Sequence, residues 1–104
     1  MSGVIKISRI ARITKTVISK QTLGAGASTT LFSKAVLLAV VLIHGDGDIE
    51  VQITVKENEK TYTLYGNEQA IELIANEAIE ITAVNMDTVE TRNTPTIEIA
   101  YLEG

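Results

Sequence analysis

Apolar and polar residues alternate along much of this chain. The clearest run is residues 49–56 (IEVQITVK), in which every odd position is apolar. A period of two places the apolar side chains on one face of a β-strand and the polar side chains on the other. Residues 79–85 (IEITAVN) and 96–102 (TIEIAYL) repeat the pattern, and residues 61–65 (TYTLY) return after a polar turn at 57–60 (ENEK). We therefore expect four strands in the second half of the chain.

A continuous apolar run precedes these strands. Residues 36–43 (VLLAVVLI) contain no polar side chain, which is typical of a strand covered on both faces or of a buried helix, and the length and the Val and Ile content of the run favour the strand. Residues 30–33 (TLFS) form a short strand candidate ahead of it. The dipeptide Asp46-Gly47 follows the run and tolerates the positive φ angles of a two-residue hairpin turn. We therefore expect residues 36–43 to pair with the strand that begins at Ile49.

Residues 67–80 (NEQAIELIANEAIE) fit two structures. Good helix formers and an asparagine in the N-cap position are compatible with a single helix, with its alanines and isoleucines on one face. Alternatively, residues 71–74 are a short strand and residues 75–78 (ANEA) a turn before the next strand. We favour strand, turn and strand because the flanking sequence has a β pattern, and the helix is the alternative.

The first part of the chain differs from the rest. Residues 4–19 (VIKISRIARITKTVIS) indicate an extended arm or a strand with a bulge near residues 9–11, where the apolar positions change parity. Residues 22–29 (TLGAGAST) are a loop of small residues. We therefore divide the chain into residues 1–21, a basic arm or first strand, and residues 22–104, a folded domain.

Composition agrees with β structure. Ile, Val and Thr together make up 36 of the 104 residues, and β-branched side chains pack well on a pleated surface. Seven or eight short strands with frequent turn signals are typical of an antiparallel sandwich or barrel. We predict an all-β, jelly-roll-like antiparallel β-sandwich with an extended N-terminal arm.

Charge is unevenly distributed along the chain. Residues 1–45 contain six Lys or Arg and no acidic residue, whereas residues 46–104 contain three Lys or Arg and all thirteen acidic residues. This asymmetry suits head-to-tail contact between copies or an arm that docks on an acidic neighbour. It is equally compatible with one folded surface on which both charges are mixed.

Candidate chemistry is sparse. The segment 43–50 (IHGDGDIE) holds the single histidine and three carboxylates, but an EF-hand calcium loop would need its last ligand at Glu57, beyond an extended strand. His44 has no cysteine or nearby serine to activate, and residues 24–28 (GAGAS) lack the lysine of a P-loop. We predict no catalytic, cofactor or metal site and no enzyme activity.

Two classes of partner are also disfavoured. The basic residues before residue 21 carry no interleaved aromatic residues, and the whole chain has a net charge of −4, so we expect no nucleic acid partner. The longest apolar stretch, residues 35–43, has nine residues, about half of the ~18 that a transmembrane helix needs, so we expect no membrane partner.

The second half of the chain resembles a known kind of module. Residues 79–95 (IEITAVNMDTVETRNTP) and 96–104 (TIEIAYLEG) are similar to the last two strands and the long loop of small jelly-roll modules in tailed-phage virion proteins, which include capsid decoration and tail or baseplate components. Residues 24–55 are similar to the front part of these modules. The resemblance covers about residues 22–104, and the chain departs from it between Tyr65 and Ile79 and before Thr22.

The resemblance implies a non-enzymatic structural role in a virion assembled in the host cytoplasm. The expected partners are capsid or tail proteins and further copies of the chain, with a trimer favoured. The alternative is a ligand-binding β-sandwich module for a glycan or small molecule, which would need two exposed aromatic residues side by side. The arm combines apolar and cationic side chains ahead of the module, so we expect it to bind a neighbouring subunit or the particle surface. The predicted interface residues are Ile5, Lys6, Ile7, Arg9 and Arg12.

Overall fold

A computed structural model describes residues 13–70, 74–75 and 77–103 of the chain. These residues form an all-β structure with antiparallel pairing throughout and contain no helix. The prediction of an all-β antiparallel fold is therefore confirmed. The strands are β1 (Thr14–Ile18), β2 (Thr22–Leu23), β3 (Ser28–Ile43), β4 (Val51–Glu57), β5 (Lys60–Tyr65), β6 (Ile74–Ala75), β7 (Ala78–Asn85), β8 (Arg92–Asn93) and β9 (Ile97–Glu103).

The 16-residue strand β3 organises the fold. We expected two strands here, residues 30–33 and 36–43, and this prediction was wrong. The intervening Lys34 and Ala35 include no glycine or proline to end a strand, so the chain stays extended. The register shifts at two β-bulges instead, between Thr30 and Phe32 and between Val36 and Leu38.

Strand β3 changes partners along its length. Residues 28–35 pair with β7, whereas residues 36–43 pair with β9 on one side and, at two positions, with β6 on the other. The sheet order is β1-β9-β3-β7-β4-β5, with β2 and β8 forming a separate two-stranded pair. One half-sheet is thus β1, β9 and the end of β3, and the other is the start of β3 with β7, β4 and β5.

The two half-sheets enclose one apolar core, as expected of a sandwich. Alternate residues of β4, β7 and β9 point into it and are almost completely buried. The Phe32 ring of β3 meets the Tyr101 ring of β9 edge to face, with the ring centroids 5.4 Å apart. The core residues on the four longest strands are Val36, Ala39, Val41, Ile43, Val51, Ile53, Val55, Ile79, Ile81, Ala83, Ile97, Ile99 and Tyr101.

The segment between β3 and β4 is a turn, but it does not form a hairpin. Strand β3 is not paired with β4, because β7 lies between them in the sheet order. The positive φ angle falls on Gly45 (71°), and the alternating strand begins at Val51, which leaves Ile49 exposed. We predicted the hairpin from neighbouring residues in the sequence, and the prediction was wrong because strands distant in sequence occupy both edges of β3.

The ambiguous region 67–80 contains no helix where the structure describes it, so the helical alternative is wrong for the described residues. Ala70 makes a bridge to Ile43, residues 74–75 form β6, and β7 begins at Ala78. Residues 71–73 of the predicted strand 71–74 lie outside the described residues, and Ala75 and Ala78, which we placed in the turn, belong to β6 and β7.

Candidate protein–protein interface

The five predicted interface residues, Ile5, Lys6, Ile7, Arg9 and Arg12, lie outside the described residues, as does the bulge expected near residues 9–11. The described chain starts at Ile13, directly before β1. Strand β1 pairs with β9 from Thr14↔Tyr101 to Ile18↔Ile97 and lies at the end of the sheet order. Residues 14–18 of the segment predicted as an arm or first strand thus belong to the sheet, and from here on the arm means residues 1–12.

The half-sheet of β1, β9 and the end of β3 has an apolar outer surface. Because Ala39, Val41 and Ile43 point into the core, the alternate residues of β3 point outward. The register carries the same alternation to β9 and β1, where Val40 faces outward beside Ala100 and Lys15. We call this surface the outer apolar face, and its apolar residues are Ile13, Val17, Leu38, Val40, Leu42, Ala100 and Leu102.

Several side chains of this face are well exposed. Ile13 is 62% exposed, Val17 is 60% exposed and Leu38 is 42% exposed. The bulge between Val36 and Leu38 adds to the exposure, because it leaves Leu37 exposed next to Leu38. The sequence run 36–43 predicted a strand covered on both faces, but within the described part of the chain Leu37 and Leu38 are exposed and the outward Val40 and Leu42 are half-buried.

The outer apolar face carries one cation and one anion. A shallow groove of about 210 Å³ crosses it, and Lys15, Val17, Val40, Leu42 and Glu98 are among its lining residues. Glu98 Oε2 lies 2.5 Å from His44 Nε2, and this contact is an ion pair only when the imidazole is protonated. The sequence pattern contained a signal for this face, the apolar residues at even positions of the run 36–43, from which we did not predict it.

The two aspartates of the segment 45–48 (GDGD) hold a distant part of the chain in place through hydrogen bonds. Asp46 Oδ1 accepts a hydrogen bond from the Thr96 amide at 2.7 Å, and Asp48 Oδ2 accepts one from the Asn93 amide at 2.7 Å. The Thr96 amide bond is the main reason that the pKa of Asp46 lies below its ordinary value. Both carboxylates thus hold the chain entering β9.

Glycine is required in the same segment. A Cβ atom added to Gly47 would lie 2.5 Å from the backbone nitrogen of Pro95, which is too close for any side chain. The segment 45–48 therefore packs its backbone directly against the chain before β9.

The loop after β7 is also fixed by polar contacts. The side-chain nitrogen of the buried Asn85 donates to the backbone carbonyl oxygens of Leu23, Gly24 and Glu90. The side-chain oxygen of Asn85 accepts a hydrogen bond from the backbone amide of Asp87. Asp87 in turn accepts from the amides of Val89 and Glu90. The loop consequently has a defined shape that ties β7 to β2.

Arg92 completes this loop. Its Nε and one terminal nitrogen donate to Asp87 Oδ2 at 3.0 and 2.8 Å, and that terminal nitrogen also lies 3.1 Å from Glu90 and 3.4 Å from Glu50. The Val89 amide first, and then the Arg92 guanidinium, lower the pKa of Asp87 to about 2. The acidic residues here are partners of an arginine and of backbone amides.

The described residues contain no group of three or more His, Asp or Glu side chains placed to hold a metal ion. Across the same residues, no helix has the length and apolar character needed to cross a membrane.

The four aromatic residues do not form an exposed pair. Phe32 and Tyr101 contact each other across the sandwich, and Tyr101 is 7% exposed. Tyr62 is paired with Val55 and so shares its inward side, whereas Tyr65 is paired with Gln52 and points outward. Tyr65 alone among the four is well exposed.

Comparison with known proteins gives little further information. No family model matches the chain, and no curated protein matches it. Among solved structures, the crystal structure of FLHE is similar to 90% of this chain over its own whole length, with 10% sequence identity and a TM-score of 0.46.

Proposed function

We propose that the protein is a non-enzymatic structural component of a tailed-phage virion, a capsid decoration or minor structural protein that binds a protein lattice as a homo-oligomer. A trimer is the favoured oligomer. Capsid or tail proteins are the partners, and assembly takes place in the host cytoplasm. The proposal rests on the resemblance of residues 22–104 to small virion modules and on the surface described above.

The outer apolar face is the observation that carries the proposal. Exposed apolar patches on a folded domain mark contacts with proteins or membranes, because burying their surface is favourable. Here the patch lies on a strand whose sequence is apolar on both faces, next to the point where a cationic and apolar arm begins. A surface of this kind suits association with a protein neighbour.

The alternative function receives less support. A glycan-binding module needs neighbouring exposed aromatic rings on which a sugar can stack. Phe32 and Tyr101 use their rings in the core contact, and Tyr62 and Tyr65 point to opposite sides of β5. These positions weigh against a carbohydrate platform built from the aromatic residues of this chain.

Two measurements on the full-length chain test the proposal. Light scattering at low and high salt gives the molecular mass in solution, and co-sedimentation with candidate capsids gives particle binding. We expect an oligomer that co-sediments with its particle. A monomer at all concentrations that sediments with no capsid or tail assembly would contradict the proposal.

Charge reversal in the arm is the matched test. Replacing Lys6, Arg9 and Arg12 by Glu is expected to weaken association most at low salt, because exposed charges are screened over ~8–10 Å at physiological ionic strength. The control replaces Lys56 and Lys60 on β4 and β5 by Glu. Deleting residues 1–12 should leave a folded monomer that has lost assembly. An unfolded truncated chain would instead assign the arm to the core of its own domain.

A further inference from the structure

The start of β1 lies at one corner of the outer apolar face. Ile13 lies on the outer apolar face, where it lines a small hollow with Leu38 and Leu102. Strands β1 and β3 are both antiparallel to β9, so they run parallel to each other. The start of β1 lies near the end of β9, whose Glu103 pairs with Val36. A chain that continues β1 backwards therefore leaves its own outer apolar face at this corner.

The arm sequence gives no signal for a reversal. To cover the outer apolar face of its own domain, the arm would have to turn back near Ile13. Residues 4–12 (VIKISRIAR) contain no Gly, Pro, Asn or Asp, and Ser8 is the single residue among them of a type that is common in tight turns. The β-branched residues Val4, Ile5, Ile7 and Ile10 give this sequence a preference for extended backbone.

The area of the outer apolar face suits an extended segment as its partner. Three strands spaced ~4.8 Å apart and about seven residues long cover roughly 330 Å². A face of this size is smaller than the area of about 800 Å² that each partner buries in a stable interface, and its dimensions of ~14 by ~23 Å suit an extended segment. Nine extended residues span ~30 Å, longer than the face, and Val4, Ile5, Ile7 and Ile10 supply apolar side chains.

Charge is complementary as well. The arm contributes Lys6, Arg9 and Arg12, and the Glu98 side chain on the outer apolar face is 46% exposed. Glu103 pairs opposite the core residue Val36, so it points to the other side of β9, where its carboxylate lies 3.4 Å from Lys34. A cation carried across the outer apolar face would therefore find an acidic partner in Glu98.

We propose that residues 4–12 of one copy lie across the outer apolar face of a second copy. The inference rests on the proposed function, since it names the surface through which the homo-oligomer forms. Each copy gives its arm to one neighbour and receives an arm from another, which is a heterologous contact. Such contacts close into rings when the rotation allows it, and a trimer is one such ring.

Engineered cysteines test the contact directly, because the natural chain has no cysteine. One preparation carries Ile7→Cys, and a second, with a distinguishable affinity tag, carries Leu38→Cys. The two full-length chains are mixed and exposed to a mild oxidant. We expect a disulfide-linked pair that contains both tags. Val17→Cys, at a second exposed position of the face, provides an independent acceptor if Leu38→Cys disturbs the fold.

The control acceptor is Val89→Cys, which is 81% exposed and lies in the loop after β7. We expect at least tenfold less cross-linking to it than to either position on the face. Equal cross-linking to Val89→Cys would overturn the inference. So would a chain carrying both Ile7→Cys and Leu38→Cys whose disulfide forms only within one monomer at every concentration.

Light scattering on the same samples separates the two proposals. An oligomer without face-specific cross-links would overturn the inference and leave the proposed homo-oligomer standing. A monomer without cross-links at all concentrations would contradict both. In the positive case, Val17→Gln and Leu38→Gln should each weaken association about tenfold, and the control Val89→Gln should leave it unchanged.

Discussion

Asp46 accepts two hydrogen bonds from Thr96, one from its backbone amide at 2.7 Å and one from its hydroxyl at 2.8 Å. Asp46 follows the end of β3, and Thr96 is the residue before β9. The pair therefore fixes the start of the strand that crosses the centre of the half-sheet bearing the outer apolar face. The carboxylate is occupied as an acceptor of protein hydrogen bonds.

Removing this brace should destabilise the fold. We expect Asp46→Ala to lower the free energy of unfolding by about 1 kcal/mol, because two hydrogen bonds to an exposed carboxylate are lost. Asp46→Asn, which keeps an acceptor oxygen, should lose less. Urea unfolding followed by circular dichroism measures both. Equal and unchanged stability of the two variants would contradict the bracing role.

Calcium should not affect stability. The Asp46 and Asp48 carboxylates accept backbone amides instead of surrounding an open position. A ligand that binds only the folded state must raise the melting temperature, so calcium and EDTA should give the same value. The control is magnesium at equal ionic strength. A rise in melting temperature specific to calcium would restore the metal loop as an interpretation.

The sequence pattern correctly predicted the strands that have one buried face. β4, β7 and β9 each have one buried face, and their alternation of apolar and polar residues gave the type and the inward side correctly. The error at β3 had another cause. A run such as residues 36–43 shows that both faces are apolar, but it does not show which partners cover them.

Non-local pairing also explains the failed hairpin. The Asp46-Gly47 dipeptide favours a tight turn locally, whereas residues 36–43 of β3 pair with β9 on one side and with β6 and Ala70 on the other. Pairing between strands that are distant in sequence leaves no trace in a short window. The outer apolar face has the same origin, because it depends on the register that aligns Val40, Ala100 and Lys15.

Core register gives a sharp mutational test. Val51 and Ile53 are fully buried, and Gln52 between them points to the other side of β4. Ile53→Ala should cost about 2–4 kcal/mol through lost burial and a cavity, and Val51→Ala somewhat less. Gln52→Ala, the matched control, should stay within about 0.5 kcal/mol. Thermal or urea unfolding would reveal a register error if Gln52→Ala were the most damaging of the three.

Acid should weaken the loop after β7 through Asp87. The Val89 amide and the Arg92 guanidinium lower its pKa to about 2 from an ordinary value of 3.8. A carboxyl group with a lower pKa in the folded state stabilises that state above its unfolded pKa, and this contribution is lost as the pH falls through the folded pKa. The stability that Asp87 provides is therefore complete above about pH 4 and disappears toward pH 2.

Asp87→Asn tests this dependence. The variant should be less stable than the natural chain at pH 7, and the difference should shrink as the pH is lowered from 4 to 2, because protonated Asp87 resembles asparagine. Glu90→Gln is the control, since the Glu90 carboxylate also contacts Arg92 but accepts no loop backbone amide in the bonds described above. It should change stability less at pH 7. Urea unfolding at several pH values gives the comparison, and a stability difference for Asp87→Asn that stays constant from pH 7 to pH 2 would contradict the role assigned to its carboxylate.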